Sequence, residues 1–148
     1  MNKLIRKTSR VLGGRYTRIE LRRSRIHGRG CFARRRIEKN EPLILYTGEH
    51  INGDEAGNRD RSDHPHYSEY IMEVHDDLYV DGQRGGNIAK YINHSCTPNA
   101  RIQMLASRPF LVADRAIRQG EEIVFDYEYN DPDRYPCYCR TSRCRGFI

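Results

Sequence analysis

The sequence predicts a mainly β domain whose C-terminal end is held by a metal ion. Short apolar runs recur between glycines and polar turns, which is typical of strands. No long amphipathic helix pattern interrupts these runs. Three cysteines lie within eight residues near the end of the chain, and a closed zinc site needs four such ligands.

The first part of the chain is expected to contain a leader, a strand and a tight turn. Residues 1–15 are polar and end in two glycines, which predicts a flexible leader. Residues 16–21 alternate in character, as a half-buried strand does. Gly28 and Gly30 predict a tight turn, with a positive φ at both, that leads into residues 31–33.

The middle and end of the chain are expected to form further strands and one short helix. The apolar run at 42–46 stops at Gly48 and predicts a buried strand. Residues 54–59 begin with two acids and predict a short helix. Hairpins are expected over 70–74 with 78–81 and over 101–105 with 110–113, and a last strand over 123–125.

Charge is unevenly distributed along the chain. Residues 1–36 carry 13 Lys or Arg and one acid, whereas the remaining 112 residues carry 13 Lys or Arg and 19 acids. A basic arm of this kind would contact nucleic acid or another polyanion, and an acidic body would attract a basic partner. A solvated leader with ordinary surface acids explains the same charges equally well.

Length and composition predict one soluble domain of 148 residues. No run of about 18 apolar residues is present, so no membrane span is predicted. No apolar stretch follows the basic start, so no secretory signal is predicted either. An odd number of cysteines without such a signal favours reduced thiols over disulfides, and therefore a reducing compartment.

The fourth ligand of the expected metal site has two possible sources. Cys137, Cys139 and Cys144 supply three thiolates, and the other cysteines are Cys31 and Cys96. Cys96 lies in the polar segment Asn-His-Ser-Cys-Thr-Pro-Asn. If Cys96 completes the site, zinc fastens the tail to this segment and a pocket forms from distant parts of the chain. Cys31, beside the glycine turn, is expected to be a small buried residue.

Several motifs occur together in one order. They are Gly-Arg-Gly at 28–30, Tyr-Thr-Gly at 46–48, Asn-His-Ser-Cys-Thr-Pro-Asn at 93–99, Phe-Asp-Tyr at 125–127 and Cys-x-Cys-x4-Cys at 137–144. Together they resemble SET-domain protein-lysine methyltransferases with a zinc-binding post-SET tail. The resemblance implies a SET domain at 16–130 and a post-SET tail at 131–148. It also implies that the Asn-His and Phe-Asp-Tyr segments cross in a pseudoknot-like arrangement.

The resemblance implies an activity and assigns catalytic residues. A methyl group would pass from S-adenosylmethionine to a lysine amine of a basic protein, such as a histone or another basic chromosomal protein. Tyr127 would lie beside the transferred methyl group, and Tyr46 would line the same lysine channel. Phe125 would leave room for a second or third methyl group, because it lacks the hydroxyl that would hold a water there.

An aromatic channel suits this chemistry because the lysine must be neutral when it attacks. A solvated lysine, with a pKa of about 10.4, is almost wholly charged at neutral pH. Desolvation in the channel, and the like charge of the sulfonium, lower that pKa. Aromatic walls also accept methylated, cationic products. Alignment of the two reactants can then supply much of the rate.

The resemblance also implies which residues hold the cofactor and the metal. The residues expected to bind S-adenosylmethionine are His27, Gly28, Arg29, Gly30, Tyr70, Asn93 and His94, with Phe147 in the tail covering the site. The zinc would be structural, with a closed set of ligands formed by Cys96, Cys137, Cys139 and Cys144.

Two other functions are compatible with the sequence. One is a SET-like module that binds basic peptides through an acidic groove without turnover. The other is a small zinc module that contacts nucleic acid through the basic arm. The expected compartment is the cytoplasm, with nuclear chromatin as the alternative.

Overall fold

The computed structural model describes residues 18–60, 67–129 and 135–148. Within these ranges the chain forms ten strands, one α-helix and two 3-10 helices, so the prediction of a mainly β fold is confirmed. The predicted leader at 1–15 lies outside the described residues. In the described part of the chain, no helix has the length and apolarity needed to cross a membrane.

The strands pair into three small sheets. The strands are β1 (Ile19–Arg23), β2 (Arg29–Ala33), β3 (Pro42–Leu45), β4 (Glu49–Ile51), β5 (Ile71–His75), β6 (Leu78–Asp81), β7 (Asn93–His94), β8 (Ala100–Leu105), β9 (Arg108–Ala113) and β10 (Glu122–Phe125). Their orders in the sheets are β1-β2-β10-β7, β3-β9-β8 and β4-β6-β5. The β7–β10 pair is parallel and the other strand pairs are antiparallel.

One main core is shared by the sheets and the turns between them. Its largest fully buried aliphatic side chains are Ile37, Leu43, Ile44, Val80, Ile92, Leu111, Ile117 and Ile123. Burying one such side chain stabilises the fold by about 1.5–3 kcal/mol. Ile37 and Ile117 also form an isolated antiparallel bridge, which holds the turn after β2 against the turn before β10.

Besides the 3-10 helix Tyr67–Tyr70 before β5, two helices connect the sheets and position the segment that follows them. Helix α1 (Gly53–Asp60) begins with a reciprocal cap, because Asn52 Oδ1 accepts from Glu55 N at 2.9 Å and Glu55 Oε2 accepts from Asn52 N at 3.2 Å. The 3-10 helix Ile88–Tyr91 is capped by Asn87, whose Nδ2 also donates to Leu45 O at 2.8 Å. This second cap ties the helix to β3 just before β7 begins.

Most predicted elements are present, with two differences near the N-terminal end. The first strand extends from Ile19 to Arg23, so it ends two residues later than predicted. Gly28 has the predicted positive φ of 45°. The prediction for Gly30 is wrong, because this residue lies within β2 without a positive φ. A Cβ atom there would instead collide with the Glu122 carboxylate, so close approach is what requires glycine at this position.

Candidate active site

Strands β7 and β10 bring the two polar motifs side by side. Their parallel register aligns Val124 with Asn93 and Phe125 with His94. The pairing continues beyond β7, where Ser95 N donates to Phe125 O at 3.0 Å. The Asn-His segment and the Phe-Asp-Tyr segment are therefore neighbours, as the resemblance implies.

Asn99 fixes this arrangement from the interior. It is 1% exposed, and its Oδ1 accepts from Val124 N at 2.9 Å. Its Nδ2 donates to Glu122 O at 2.8 Å and to Glu121 Oε1 at 3.0 Å. A buried amide with all of these bonds made holds the loop after β7 against β10.

The three predicted catalytic residues lie together. Tyr46, Phe125 and Tyr127 line a groove of about 1040 Å³. The rings of Phe125 and Tyr127 lie 4.8 Å apart, and the Tyr127 hydroxyl donates to Ile92 O at 2.9 Å. The structure thus brings together an aromatic surface of the kind expected for a lysine channel.

Tyr46 is held by the loops on either side of β5 and β6. Its hydroxyl donates to Tyr70 O at 2.8 Å, and Gly82 N donates to the same carbonyl at 2.8 Å. A Cβ atom at Gly82 would lie 2.5 Å from the Tyr46 hydroxyl oxygen, so only glycine allows this approach. Tyr70 therefore contributes its backbone to the site, and its ring is half-buried.

Burial keeps both phenols protonated at neutral pH. It raises the pKa of Tyr127 well above its usual value and also raises the pKa of Tyr46. Neither side chain can therefore act as a general base at neutral pH. Each hydroxyl donates to a backbone carbonyl, and its oxygen can still accept a hydrogen bond or shape the groove.

His94 connects Tyr127 with the cysteine segment. Its Nδ1 accepts from Tyr127 N at 3.2 Å, so its proton resides on Nε2, which lies 3.4 Å from Cys96 Sγ. Burial lowers the pKa of His94, against the opposite influence of Asp126. His94 is thus a neutral link whose two nitrogens face two different functional segments.

Asn93 lies against the predicted glycine turn. Its Nδ2 donates to Arg29 O at 3.0 Å, to His27 O at 3.2 Å and to Glu122 Oε1 at 2.8 Å. Three acceptors around one nitrogen fix the orientation of the amide. Asn93 is 8% exposed, yet no donor to its Oδ1 lies within the described ranges. An amine or ammonium group of a ligand would satisfy this oxygen.

Glu122 organises the same turn and was not among the predicted site residues. Its second carboxylate oxygen accepts from Ser24 Oγ at 3.0 Å, and that hydroxyl accepts from Ile26 N at 2.8 Å. Ser24 N in turn donates to Gly28 O at 3.0 Å. The available sequence signal was an acid at the start of a buried strand, where an unpaired carboxylate would be costly.

Four cysteines form a cluster at the tail. The sulfur atoms of Cys96, Cys137, Cys139 and Cys144 all lie within 4.8 Å of one another, and those of Cys96 and Cys137 are 3.7 Å apart. Sulfurs bound to one zinc at about 2.3 Å form a tetrahedron with edges of about 3.8 Å. The cluster therefore fits a closed zinc site.

Backbone amides support negative charge on these sulfurs. Arg145 N donates to Cys96 Sγ at 3.3 Å, and Gly146 N donates to Cys144 Sγ at 3.3 Å. Cys31 is not part of the cluster, since it is fully buried and its thiol donates to Ile88 O at 3.2 Å. Burial raises the pKa of Cys31 to about 12, so it stays a thiol, as expected for a small core residue.

Comparison with known proteins decides the family. The SET domain family model matches residues 28–128. The chain belongs to the SET-domain family.

Similar proteins include "Histone-lysine N-methyltransferase, H3 lysine-4 specific" of Schizosaccharomyces pombe, which is 40% identical over 136 residues, or 84% of this chain and 14% of that protein. A protein with the same description from Mycosarcoma maydis is 35% identical over 144 residues, or 90% of this chain and 10% of that protein. "Histone-lysine N-methyltransferase trithorax" of Drosophila melanogaster is 36% identical over 132 residues, or 85% of this chain and 4% of that protein. The chain therefore spans 14% or less of the length of each of these relatives.

An ion pair anchors the post-SET tail to the SET domain. Arg145 donates to both carboxylate oxygens of Asp126, at 2.7 and 2.9 Å. Burial alone would raise the pKa of Asp126, but the Arg145 guanidinium outweighs it and the pKa is lowered. The pair joins the residue after a candidate zinc ligand to the residue before Tyr127. Sequence reasoning missed it because the partners are 19 residues apart.

Phe147 lies beside the cysteine cluster. Its backbone pairs with Pro136 in an isolated antiparallel bridge, and its carbonyl oxygen lies 4.0 Å from Cys96 Sγ. It is not among the residues that line the groove. The predicted covering role of Phe147 stays a prediction.

The groove of the SET domain is predominantly acidic. Its lining includes two cations, Lys90 and Arg101, and five acids: Glu69, Glu73, Asp114, Asp126 and Glu128. Arg101 pairs with Asp114 at 3.1 Å. Part of the excess of acids noted in residues 37–148 therefore lies in this groove, although no local motif could have located it.

Proposed function

We propose that this SET domain transfers methyl groups from S-adenosylmethionine to a lysine side chain of a basic protein. The observation that carries the proposal is the convergence of Tyr46, Phe125 and Tyr127 on one acidic groove. Aromatic walls and acidic surroundings suit a lysine-containing peptide, since they contact its apolar stem and attract its charge. The names of the relatives support the same class of enzyme.

The groove would prepare the lysine for attack. Tyr46 and Phe125 both line the groove, so an amine bound against these rings would lose much of its hydration. Desolvation lowers the pKa of the amine and favours the neutral form. The Tyr127 hydroxyl, which stays protonated, would orient the reacting groups without removing a proton. The proton leaves to solvent.

The cofactor would lie against the glycine turn and Asn93. S-adenosylmethionine, when bound, supplies a methyl group on a positively charged sulfur, together with an amino group that can donate hydrogen bonds. Asn93 Oδ1, which has no donor among the described residues, supports recognition of such a group, and Glu122 holds the amide in place. The residues proposed to contact the cofactor are His27, Gly28, Arg29, Gly30, Tyr70, Asn93, His94 and Phe147.

We further propose that the enzyme adds two or three methyl groups. Phe125 has no hydroxyl, and its ring packs 4.8 Å from Tyr127 at the groove. The space that a tyrosine hydroxyl would occupy is therefore available to methyl groups on the lysine nitrogen.

The proposed substrate is a basic histone tail. Acids outnumber cations in the groove, which favours a peptide with positive residues around the target lysine. Two of the named relatives are described as specific for H3 lysine-4, which makes histone H3 the first candidate. A histone substrate favours nuclear chromatin over the cytoplasm that the sequence alone predicts.

The proposed zinc has a structural role. Four sulfurs leave no open position for substrate or water, so the metal would not take part in methyl transfer. It would hold Cys96, and through His94 the backbone of Tyr127, in place.

Two measurements test the proposed function on the zinc-loaded protein. Calorimetric titration should detect binding of S-adenosylmethionine, and labelled methyl groups should then appear on core histones. Asn93→Ala should weaken cofactor binding, whereas Asn58→Ala, on the exposed face of α1, should not. No transfer to any basic protein, together with no binding of the cofactor, would instead support the non-catalytic binding module.

A further inference from the structure

Positive charge is concentrated on one folded segment. Residues 18–39, here called the arginine hairpin, comprise β1, β2 and the turn after them. They carry eight Arg and one Lys against two Glu, a net charge of +7, whereas residues 40–148 carry a net charge of −6. This segment lies within the described residues, whereas residues 1–15 lie outside them.

The charge of the arginine hairpin is displayed on the surface. The exposed arginines are Arg22, Arg23, Arg25, Arg29, Arg34, Arg35 and Arg36. Several of them make ion pairs at the surface, such as Arg36 with Glu38 at 2.7 Å and Arg35 with Glu41 at 2.8 Å. Exposed pairs of this kind are worth at most about 1 kcal/mol, so a polyanion can readily replace the carboxylates.

Arg23 and Arg25 are the most available of these cations. Within the described ranges neither has a carboxylate at ion-pair distance. Arg23 also lies directly opposite Arg29 in the β1–β2 register, and like charges across a strand pair are destabilising. The Arg29 guanidinium is drawn over the Tyr91 ring, 5.0 Å from its centroid. The Arg29 guanidinium is thus engaged with this ring, which leaves Arg23 and Arg25 as the arginines of the turn that are open to a ligand.

The neighbouring turn extends the same surface. The Ile37–Ile117 bridge, with hydrogen bonds of 3.0 and 2.9 Å, holds the segment around residue 118 against the turn after β2. Arg118 is exposed there, and its side chain has no acidic partner in the part of the chain that the structure describes. Exposed arginines are therefore contributed by two separate segments of the fold.

We propose that the arginine hairpin binds the phosphate backbone of duplex DNA. Guanidinium groups match phosphate oxygens with paired hydrogen bonds, and exposed arginines on one hairpin can reach several phosphates. Single-stranded nucleic acid is held largely by stacking of bases on exposed aromatic rings. Phe32 is the one Phe, Tyr or Trp in residues 18–39, and the Arg22 guanidinium covers it at 5.5 Å. The surface thus favours a duplex over a single strand.

This binding does not use the acidic groove. The hairpin also contains residues 27–30, which are proposed to contact the cofactor, so the DNA contacts are assigned to the arginines outside that turn, above all Arg23 and Arg25. Such binding would hold the enzyme on DNA while the acidic groove binds a basic histone tail nearby. The interaction would be independent of base sequence, because phosphate contacts carry no sequence information.

Fluorescence anisotropy of a short labelled DNA duplex with the 148-residue, zinc-loaded chain tests the proposal. Binding should weaken steeply with salt, as counterion release requires. R23Q/R25Q should weaken binding on the order of tenfold at about 0.1 M salt, and the salt slope should fall by about 0.9 for each phosphate that is no longer neutralised. The control R84Q/R108Q removes the same charge from exposed positions outside the hairpin and should leave the affinity close to that of the unchanged protein.

Three results would overturn the proposal. One is the absence of duplex binding even at low salt. Another is an equal loss in R23Q/R25Q and R84Q/R108Q, which would indicate only a general effect of net charge. The third is tighter binding to single-stranded RNA of the same length. Thermal melting followed by circular dichroism verifies that both variants are folded, and none of these measurements depends on methyl transfer.

Discussion

At the scale of single residues, the site depends on hydrogen bonds that leave each side chain one orientation. The Tyr127 hydroxyl is tied to Ile92 O, the Tyr46 hydroxyl to Tyr70 O, and His94 Nδ1 to Tyr127 N. Neither phenol can ionise at neutral pH, so the chemistry proposed for this site rests on shape, desolvation and orientation. Small changes to these side chains should therefore separate catalysis from binding.

Tyr127→Phe should lower the rate of methyl transfer by tenfold or more, which corresponds to about 1.4 kcal/mol in the barrier. The change removes the hydroxyl that orients the reacting groups but keeps the ring that packs on Phe125. Steady-state kinetics should show the loss in kcat, with cofactor affinity preserved. Tyr138→Phe, at a position 56% exposed, is the matched control. Equal rates for Tyr127→Phe and the unchanged protein would remove Tyr127 from the mechanism.

Phe125→Tyr should reduce the number of methyl groups added to each lysine. The new hydroxyl would occupy space near the lysine nitrogen and hold a water there. Mass spectrometry of the peptide product should show a shift from di- and trimethyl-lysine towards monomethyl-lysine. An unchanged product distribution would show that Phe125 does not limit the methyl count.

At the scale of elements, the site is built from short strands and loops that two sets of long-range contacts hold together. The loop after β7 is held to β10 by Asn99, and the tail is held by the cysteine cluster and the Arg145–Asp126 pair. Strands of two to six residues cannot fix these positions by themselves. Loss of either set of contacts should therefore affect the site as a whole.

Asn99→Ala should destabilise the fold by about 1–3 kcal/mol, because Val124 N and Glu122 O lose a buried partner. For a chain of this size the melting temperature should fall by about 2–12 °C. Asn58→Ala, which changes an exposed residue of α1, is the control for the loss of an amide. A melting temperature for Asn99→Ala equal to that of this control would contradict the structural role of Asn99.

Removal of zinc should abolish methyl transfer while leaving most of the β-sheet signal. The four sulfurs belong to the tail and to the loop after β7, so the metal would hold the segment next to His94 and not the main core. Elemental analysis should give one zinc per chain before chelation, and Cys144→Ser should reproduce the loss. Full activity in the metal-free protein would show that the tail is dispensable for turnover.

At the scale of the whole molecule, local sequence patterns predict the strands but not the way they meet. Alternation and turn residues locate the antiparallel hairpins, since their partners are close in sequence. The parallel pairing of β7 with β10 joins segments about 30 residues apart through a two-residue strand, so no periodicity could reveal it. The motifs resembling SET domains supplied this link.

The candidate site was predictable to the extent that its residues lie within those motifs. Tyr46, Phe125, Tyr127 and the four cysteines come together as expected. The contacts that support them were not predictable, because Glu122, Asn99 and Arg145 act across long sequence separations and have no motif of their own. The acidic groove was not predictable either, since the composition predicts an excess of acids but not where in the fold they lie.

Lysine methylation in the aromatic groove is the activity on which the other proposals for this site depend. The most direct measurement is mass spectrometry of a histone H3 tail peptide after incubation with the zinc-loaded protein and S-adenosylmethionine. We expect the mass of the peptide to increase by one or more methyl groups, all on one lysine. This increase should disappear when that lysine is replaced by arginine. An unmodified peptide, together with unmodified core histones and no calorimetric sign of cofactor binding, would contradict this activity.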